Sequence, residues 1–194
     1  MIAYIDGNMA YKTPTSVVID VQGIGYEVNI SLYTYEKIVN AERCRLFTHQ
    51  VIKEDAHQLF GFFDEDERSI FRHLISISGV GPNTARMILS SLAPDELKRA
   101  IIQGDITLLK SVKGVGPKSA QRIIIELQDV LSKDTAGGLL VVSDKSRILN
   151  EALAAMAALG FTKMVAEKAI ARVLRENPGQ MTVEELIKKA LKLI

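Results

Sequence analysis

The amino-acid sequence predicts a multidomain α+β protein in three parts: a small β-barrel, a central helical domain and a C-terminal three-helix unit. Three observations carry this reading. Apolar–polar alternation dominates up to residue 63, helical spacing replaces it from residue 64, and a polar stretch containing Ala136-Gly137-Gly138 interrupts the helices before they resume at 147. The expected boundaries are therefore 1–63, 64–131, a flexible linker at 132–146, and 147–194.

In the first part, Ser16–Val21 alternates, and after Gly23 and Gly25 the run Tyr26–Ile30 alternates again. Further strands are expected at 43–53 and 56–62, with Glu54-Asp55 at the turn between them. About five short strands in so few residues suit a closed barrel of the OB-fold type. Gly23-Ile24-Gly25 reads as turn chemistry and not as a dinucleotide fingerprint, because a strand follows where a helix N-terminus should begin. The second part opens at Asp64, which can cap a helix whose third residue, Glu67, can reach back to it. In the third part, helices are expected to Leu159, over Lys163–Arg175 and over Val183–Leu193. Gly160 ends the first, Pro178-Gly179 separates the last two, and Thr182 with Glu185 forms a second capping box.

Composition narrows the function classes. The chain has 194 residues, 47% hydrophobic and 24% charged, as expected for a soluble globular protein. No apolar run reaches the ~18 residues of a membrane span, and the start MIAYIDGNMA lacks the pattern of a secretory signal. Cytoplasmic residence is expected. A lone Cys44 can form neither an internal disulfide nor a structural zinc site. His49 and His57 flank the acidic turn without a further metal ligand, so structural or solvent-facing roles are expected. No Gly-x-x-x-x-Gly-Lys-Ser/Thr occurs, so ATP hydrolysis is not expected of this chain. The net charge of +1 is divided unevenly, at −3 over 1–64, +1 over 65–130 and +3 over 131–194. A polyanion would have to be met by a local arrangement of groups, not by bulk charge.

The strongest signal is an internal repeat at an offset of 35 residues. Leu74-Ile-Ser-Ile-Ser-Gly79-Val80-Gly81-Pro82-Asn83-Thr84-Ala85-Arg86 is matched by Leu109-Lys-Ser-Val-Lys-Gly114-Val115-Gly116-Pro117-Lys118-Ser119-Ala120-Gln121-Arg122. Helix, Gly-Val-Gly, then a helix with proline in its first turn resembles a helix-hairpin-helix motif, present twice. The glycines permit the sharp turn and keep side chains away from an approaching phosphate. Val80 and Val115 can plug the space between the helices, and Ala85 and Ala120 permit close packing. Proline at the first helical position surrenders an amide the helix does not use. The free N–H groups that remain lie at the positive end of the helix dipole and favour an anion. Such contacts hold the sugar–phosphate backbone and carry little base information. The candidate backbone-binding residues are Gly79, Val80, Gly81, Asn83 and Arg86 in the first hairpin, and Gly114, Val115, Gly116, Lys118, Ser119 and Arg122 in the second.

The order of barrel, tandem hairpins, linker and three-helix unit resembles the RuvA family, the Holliday-junction-binding subunits of bacterial branch-migration complexes. The likeness covers essentially the whole chain. It includes Met1-Ile2, Gly23–Val28, Phe47-Thr48-His49, Glu54-Asp55-Ala56, Phe60-Gly61-Phe62, both hairpins and Ala158–Phe161. The resemblance implies four-way junction DNA held by its minor-groove backbones, and a flat homotetramer that can double to an octamer. It implies docking of the third domain on the hexameric ATPase RuvB, with the RuvC resolvase as a further partner. Leu159, Gly160 and Phe161, similar to the loop of ubiquitin-associated bundles, are the candidate motor-binding residues. Glu54 and Asp55, otherwise an ordinary solvated turn, match the family's acidic pin near the central crossover. No catalytic residue, cofactor or metal is implied for this chain.

One alternative comes from a different class. Gly114–Ala120 also resembles the hairpin of endonuclease III-type DNA glycosylases, in which a lysine at the position of Lys118 attacks a sugar carbon and forms a Schiff base. A single cysteine excludes that family's four-cysteine cluster loop, and the helical region is short for its two-domain fold.

Overall fold

The computed structural model describes residues 1–139, 144–176 and 181–193, and divides into two units, Met1–Lys133 and Asp134–Ile194. The first unit begins with strands β1 (Tyr4–Lys12), β2 (Ser16–Val21) and β3 (Ile24–Ile30), helix α1 (Leu32–Ile38), and strands β4 (Arg43–Ile52) and β5 (His57–Phe62). They close a barrel in the order β1-β2-β3-β5-β4, an OB-fold. Its core is Ile5, Val17, Ile19, Val28, Ile30, Ile38, Leu46 and Leu59.

Two elements of the barrel were not expected. β1 hides its alternation because a core-facing position is Gly7, where a Cβ would lie 2.2 Å from the Asp20 carbonyl oxygen. α1 is short and rich in Tyr and Thr, but Ser31 caps it by accepting from the Thr34 N–H at 3.0 Å. The expected turn chemistry sits at Gln22 and Gly23, with φ of 55° and 88°. Val21 pairs with Ile24, so these two residues make a type I′ hairpin loop. The barrel closes through a parallel seam of only two pairs, Asn29 with Phe60 and Ile30 with Gly61. The Asn29 amide adds a bond to the Leu59 carbonyl at 3.3 Å.

Helices α2 (Glu65–Ser76), α3 (Pro82–Ser91), α4 (Pro94–Gln103), α5 (Ile106–Ser111) and α6 (Pro117–Leu139) follow. Their core contains Phe71, Leu74, Val80, Ile88, Leu97, Val115 and Ile123, and it includes Phe60 and Phe62 of β5. One hydrophobic cluster thus joins barrel and hairpins within the unit. Asp64 caps α2 as expected, accepting from the Glu67 N–H at 2.8 Å. The Glu67 side chain does not reach back to its cap. It accepts from the Phe63 N–H and from the hydroxyls of Ser31 and Thr34.

The expected linker at 132–146 requires correction. α6 continues to Leu139 and α7 begins at Asp144. The buried stripe of Ile123, Ile124, Leu127 and Leu131 carries the helix forward, and two glycines cost it only ~1 kcal/mol each. Leu140-Val141-Val142 and Pro178-Gly179 lie outside the described residues.

The second unit contains α7 (Asp144–Ala158), α8 (Lys163–Glu176) and α9 (Val183–Leu191) around Ala152, Met156, Ile170, Val173 and Leu186. Gly160, at φ 94°, ends α7. The N–H of Gly160 bonds Ala157 and that of Phe161 bonds Met156, the paired bonds of a Schellman cap. The Thr182–Glu185 capping box forms as expected. No helix among the described residues is long and apolar enough to cross a membrane.

Candidate nucleic-acid interface

The two hairpins repeat bond for bond. In the first, the N–H of Ile77 bonds Leu74, that of Val80 bonds Ile77, and that of Ala85 bonds Gly81, at 3.2, 3.0 and 2.9 Å. In the second, Val112 bonds Leu109, Val115 bonds Val112, and Ala120 bonds Gly116, at 3.3, 3.1 and 2.9 Å. Val80 and Val115 are both buried, and Ala85 and Ala120 are fully so.

The four glycines serve two purposes. Gly79 and Gly114 share a φ of 91°, where an L side chain is strained. Gly81 has an ordinary φ of −82°, Gly116 is not among the positive-φ residues, and a Cβ on either meets nothing within 4 Å. The fold does not require glycine at 81 or 116. Bare backbone there leaves room for something outside the chain to come close. Gly81 offers no capping side chain, so α3 opens with first-turn amides that no side chain covers. The first turns of α3 and α6 contain no acidic residue, whereas α2 opens with Glu65, Asp66 and Glu67 and α4 with Asp95 and Glu96. The dipole of each hairpin helix is left available to an anion.

The nominated side chains separate into two groups. Asn83 and Lys118 are exposed at equivalent places in the repeat, and Ser119 is half-buried beside Lys118. Both arginines are already engaged within the chain. Arg86 donates to the Thr15 carbonyl and to Asn29 Oδ1, each at 3.0 Å, which ties α3 to the barrel. Burial lowers its guanidinium pKa from the ordinary value. Arg122 donates to the Ser78 carbonyl at 2.9 Å.

Sequence reasoning missed the joint that aims the first hairpin. Glu67 is fully buried. Burial pushes its carboxyl above the ordinary range, against the bonds from Ser31, Thr34 and the Phe63 N–H, which favour the ionised form. Arg68 donates to the carbonyls of Ala3 and Thr48 at 2.8 and 3.3 Å, holding α2 to β1 and β4. His49 packs on Phe71 with ring centroids 5.6 Å apart, and its buried Nδ1 has no partner among the described residues. Only a helix-capping signal pointed to Glu67, and it pointed to a different acceptor role.

Glu54 and Asp55 stand exposed at the tip of the β4–β5 hairpin, where Lys53 and Ala56 exchange backbone bonds at 2.8 and 3.4 Å. His57 pairs with Ile52 next to that tip, whereas His49 pairs with Phe60 further along the ladder. The two histidines do not converge, and no metal-ligating cluster occurs among the described residues.

Comparison with known proteins decides the family. A profile described as RuvA N terminal domain matches residues 1–61, a SAM-like helix-hairpin-helix tandem matches 71–129, and a RuvA C-terminal domain matches 147–194. Proteins named Holliday junction branch migration complex subunit RuvA align end to end. The one from Cytophaga hutchinsonii is 50% identical over 100% of both chains. That from Amoebophilus asiaticus is 48% identical over 99% of this chain and 100% of its own, and that from Bacteroides thetaiotaomicron is 44% identical over 99% of each. The chain belongs to the RuvA family.

Within the RuvA frame, the two hairpin turns fall inside the helix-hairpin-helix match and the Glu54-Asp55 tip inside the N-terminal match. The RuvA C-terminal match covers Leu159, exposed at 59%, and Gly160, exposed beside it. Phe161 is half-buried and packs on the core of its own unit. The glycosylase alternative gains nothing. Lys118 is exposed on the first turn of α6, without the desolvated surroundings that activate a lysine nucleophile.

Proposed function

We propose that this chain is the structure-selective DNA-binding subunit of a branch-migration complex, gripping the arms of a four-way junction by their phosphates. The observation that carries the reading is the pair of hairpins with identical bonds, each with a glycine that its own fold does not require. Asn83, Lys118 and Ser119 stand beside those turns and supply side-chain contacts to the backbone. A relative from Cytophaga hutchinsonii that aligns over all of both chains carries the name of such a subunit, which supports the assignment.

One nearly neutral chain with two backbone grips holds a duplex weakly. Four copies in a flat assembly raise avidity, because each later arm meets its site at high effective concentration. Every copy adds Glu54 and Asp55 to a central acidic ring that repels phosphates, so a continuous duplex is kept from lying across the middle. Force comes from the ATPase partner RuvB, recruited in the cytoplasm through 147–194 with Leu159 and Gly160 at the contact, and RuvC then acts on the held junction.

A gel-shift titration of a synthetic cross against linear duplex of equal length, with light scattering for mass, tests the reading. Preference for the cross and a tetrameric or octameric mass are expected. A monomer without preference overturns it. Glu54→Gln combined with Asp55→Asn should retain cross binding and raise duplex affinity, and unchanged selectivity removes the pin from the account.

A further inference from the structure

Two identical turns are useful to one DNA arm only if their separation is fixed. A shared core that buries Val80 and Val115 packs the hairpins together, and one polar bond between them adds direction to that packing. Arg122 sits in the second turn of α6, and its Nη1 donates to the carbonyl of Ser78 at 2.9 Å, across 44 residues of chain. Ser78 immediately precedes Gly79, the positive-φ hinge of the first hairpin. The bond therefore runs from the second hairpin's helix to the turn of the first.

It has no mirror image. At the offset of 35, Arg122 corresponds to Met87 and Ser78 to Lys113, so the first hairpin cannot return the contact. Met87 is instead 40% exposed. A guanidinium presents five N–H donors in a rigid fork, so one can hold Ser78 while the rest stay directed to solvent, where Arg122 is exposed.

We propose that Arg122 is a positioning residue that sets the spacing of the two phosphate-binding turns by holding the Ser78 carbonyl. The inference rests on the backbone-binding reading of the hairpins. Two grips at constant spacing engage one strand together, whereas turns that drift apart must be ordered at the moment of binding, which lowers affinity without removing a phosphate contact.

The test uses the full chain with Cys44→Ser, and nitroxide labels at Ser76→Cys and Ser111→Cys. These exposed helix ends are equivalent in the repeat and lie just before the turns. Pulsed electron–electron distance measurement on the DNA-free protein is compared for Arg122, Arg122→Met and Arg122→Lys. Arg122→Met should widen the distance distribution and Arg122→Lys should keep it narrow. Affinity of Arg122→Met for a linear duplex should fall on the order of fivefold, as for loss of one hydrogen bond, with the salt slope unchanged. An unwidened distribution overturns the proposal, and so does widening without loss of affinity. A salt slope smaller by about one phosphate, with the distance unchanged, makes Arg122 an ordinary phosphate ligand. Failure of the parent protein to bind any DNA defeats the functional reading instead, while the distance measurement still decides whether Arg122 couples the turns.

Discussion

The two hairpins share their turns and differ in what holds them. The first is fastened to the barrel. Glu67 on α2 gathers Ser31, Thr34 and the Phe63 amide, and Arg86 on α3 grips Thr15 and Asn29. At the offset of 35 stand Ile102, which belongs to α4 ahead of the second hairpin and packs at the edge of the helical core, and Gln121 of α6, which is exposed. The second hairpin reaches instead to the first, through Arg122. The two copies of the motif thus share one backbone geometry, while the residues around it differ, so that one copy is bonded to the barrel and the other to its neighbour. Resemblance between the repeats marks the shared turn, and the departures from it mark how each turn is held.

The comparison can be broken first at Glu67. Glu67→Ala leaves the hydroxyls of Ser31 and Thr34 without their acceptor in a buried place, at ~1–3 kcal/mol for each unsatisfied group, while the Phe63 amide keeps Thr34 Oγ1. A loss of about 3 kcal/mol or more in urea unfolding is expected. All five tyrosines, at 4, 11, 26, 33 and 35, lie in the barrel region and report it by fluorescence. Ile102→Ala, 35 residues on and in α4, should cost less, because Ile102 is only partly buried and leaves no polar group stranded. Equal losses would erase the distinction between the two places.

A smaller effect is expected at the next pair. Arg86→Ala should lower stability by about 2 kcal/mol, since it orphans Asn29 Oδ1 and a share of the Thr15 carbonyl. Gln121→Ala should stay within roughly 0.5 kcal/mol, as for an ordinary surface change. If Arg86→Ala instead spares stability and reduces only DNA affinity, the arginine belongs to the ligand and not to the barrel.

The shared part of the comparison is sharpened at the glycines. Gly81→Leu and Gly116→Leu should leave the melting temperature nearly unchanged, because both sites open onto empty space. Each should weaken duplex binding by about tenfold, or ~1.4 kcal/mol. Destabilisation with intact binding would mean that these glycines serve the fold.

The smallest effect concerns pH at the anchored hairpin. Burial, then Arg72 and Arg68, hold the His49 imidazole below its ordinary value. The unfolded chain therefore takes up this proton first. Stability from His49 is complete above the unfolded value of ~6.5 and is lost as pH falls through the lower folded value. Glu67 has the opposite sign at more acid pH. Its raised folded value favours the fold below the ordinary carboxyl range, and that gain disappears as pH rises through it. Subtracting the profile of His49→Gln from the parent profile isolates the histidine, and a flat difference between pH 7.5 and 5.5 would refute its part.

The fold of the candidate site was readable because its signals are local. Gly-Val-Gly followed by proline specifies a turn and a helix start within a few residues, and Val80 and Val115 are buried as that pattern requires. Gly160 and the Thr182–Glu185 box were legible for the same reason. What escaped depends on partners far along the chain. Glu67 looked like a capping residue, since its real donors lie 33 and 36 positions away. The bond of Arg86 to Asn29 was not legible because nothing near Arg86 announces a partner 57 residues earlier. β1 was concealed by Gly7, whose missing side chain is a demand of the neighbouring strand. The length of α6 was misjudged because Ala136-Gly137-Gly138 reads as a break, whereas the helix runs through it to Leu139.

The two-pair junction between β3 and β5 has a consequence for how the molecule is held together. A ring of strands must have a last closure, and the thinnest ladder is the natural place for it. Asn29 stands at that closure and also receives Arg86 from α3. The closing ladder of the barrel is therefore braced from outside, by a helix of the helical region. Barrel and first hairpin are thus coupled at this ladder, and a change at Arg86 on α3 is felt where the ring of strands is thinnest.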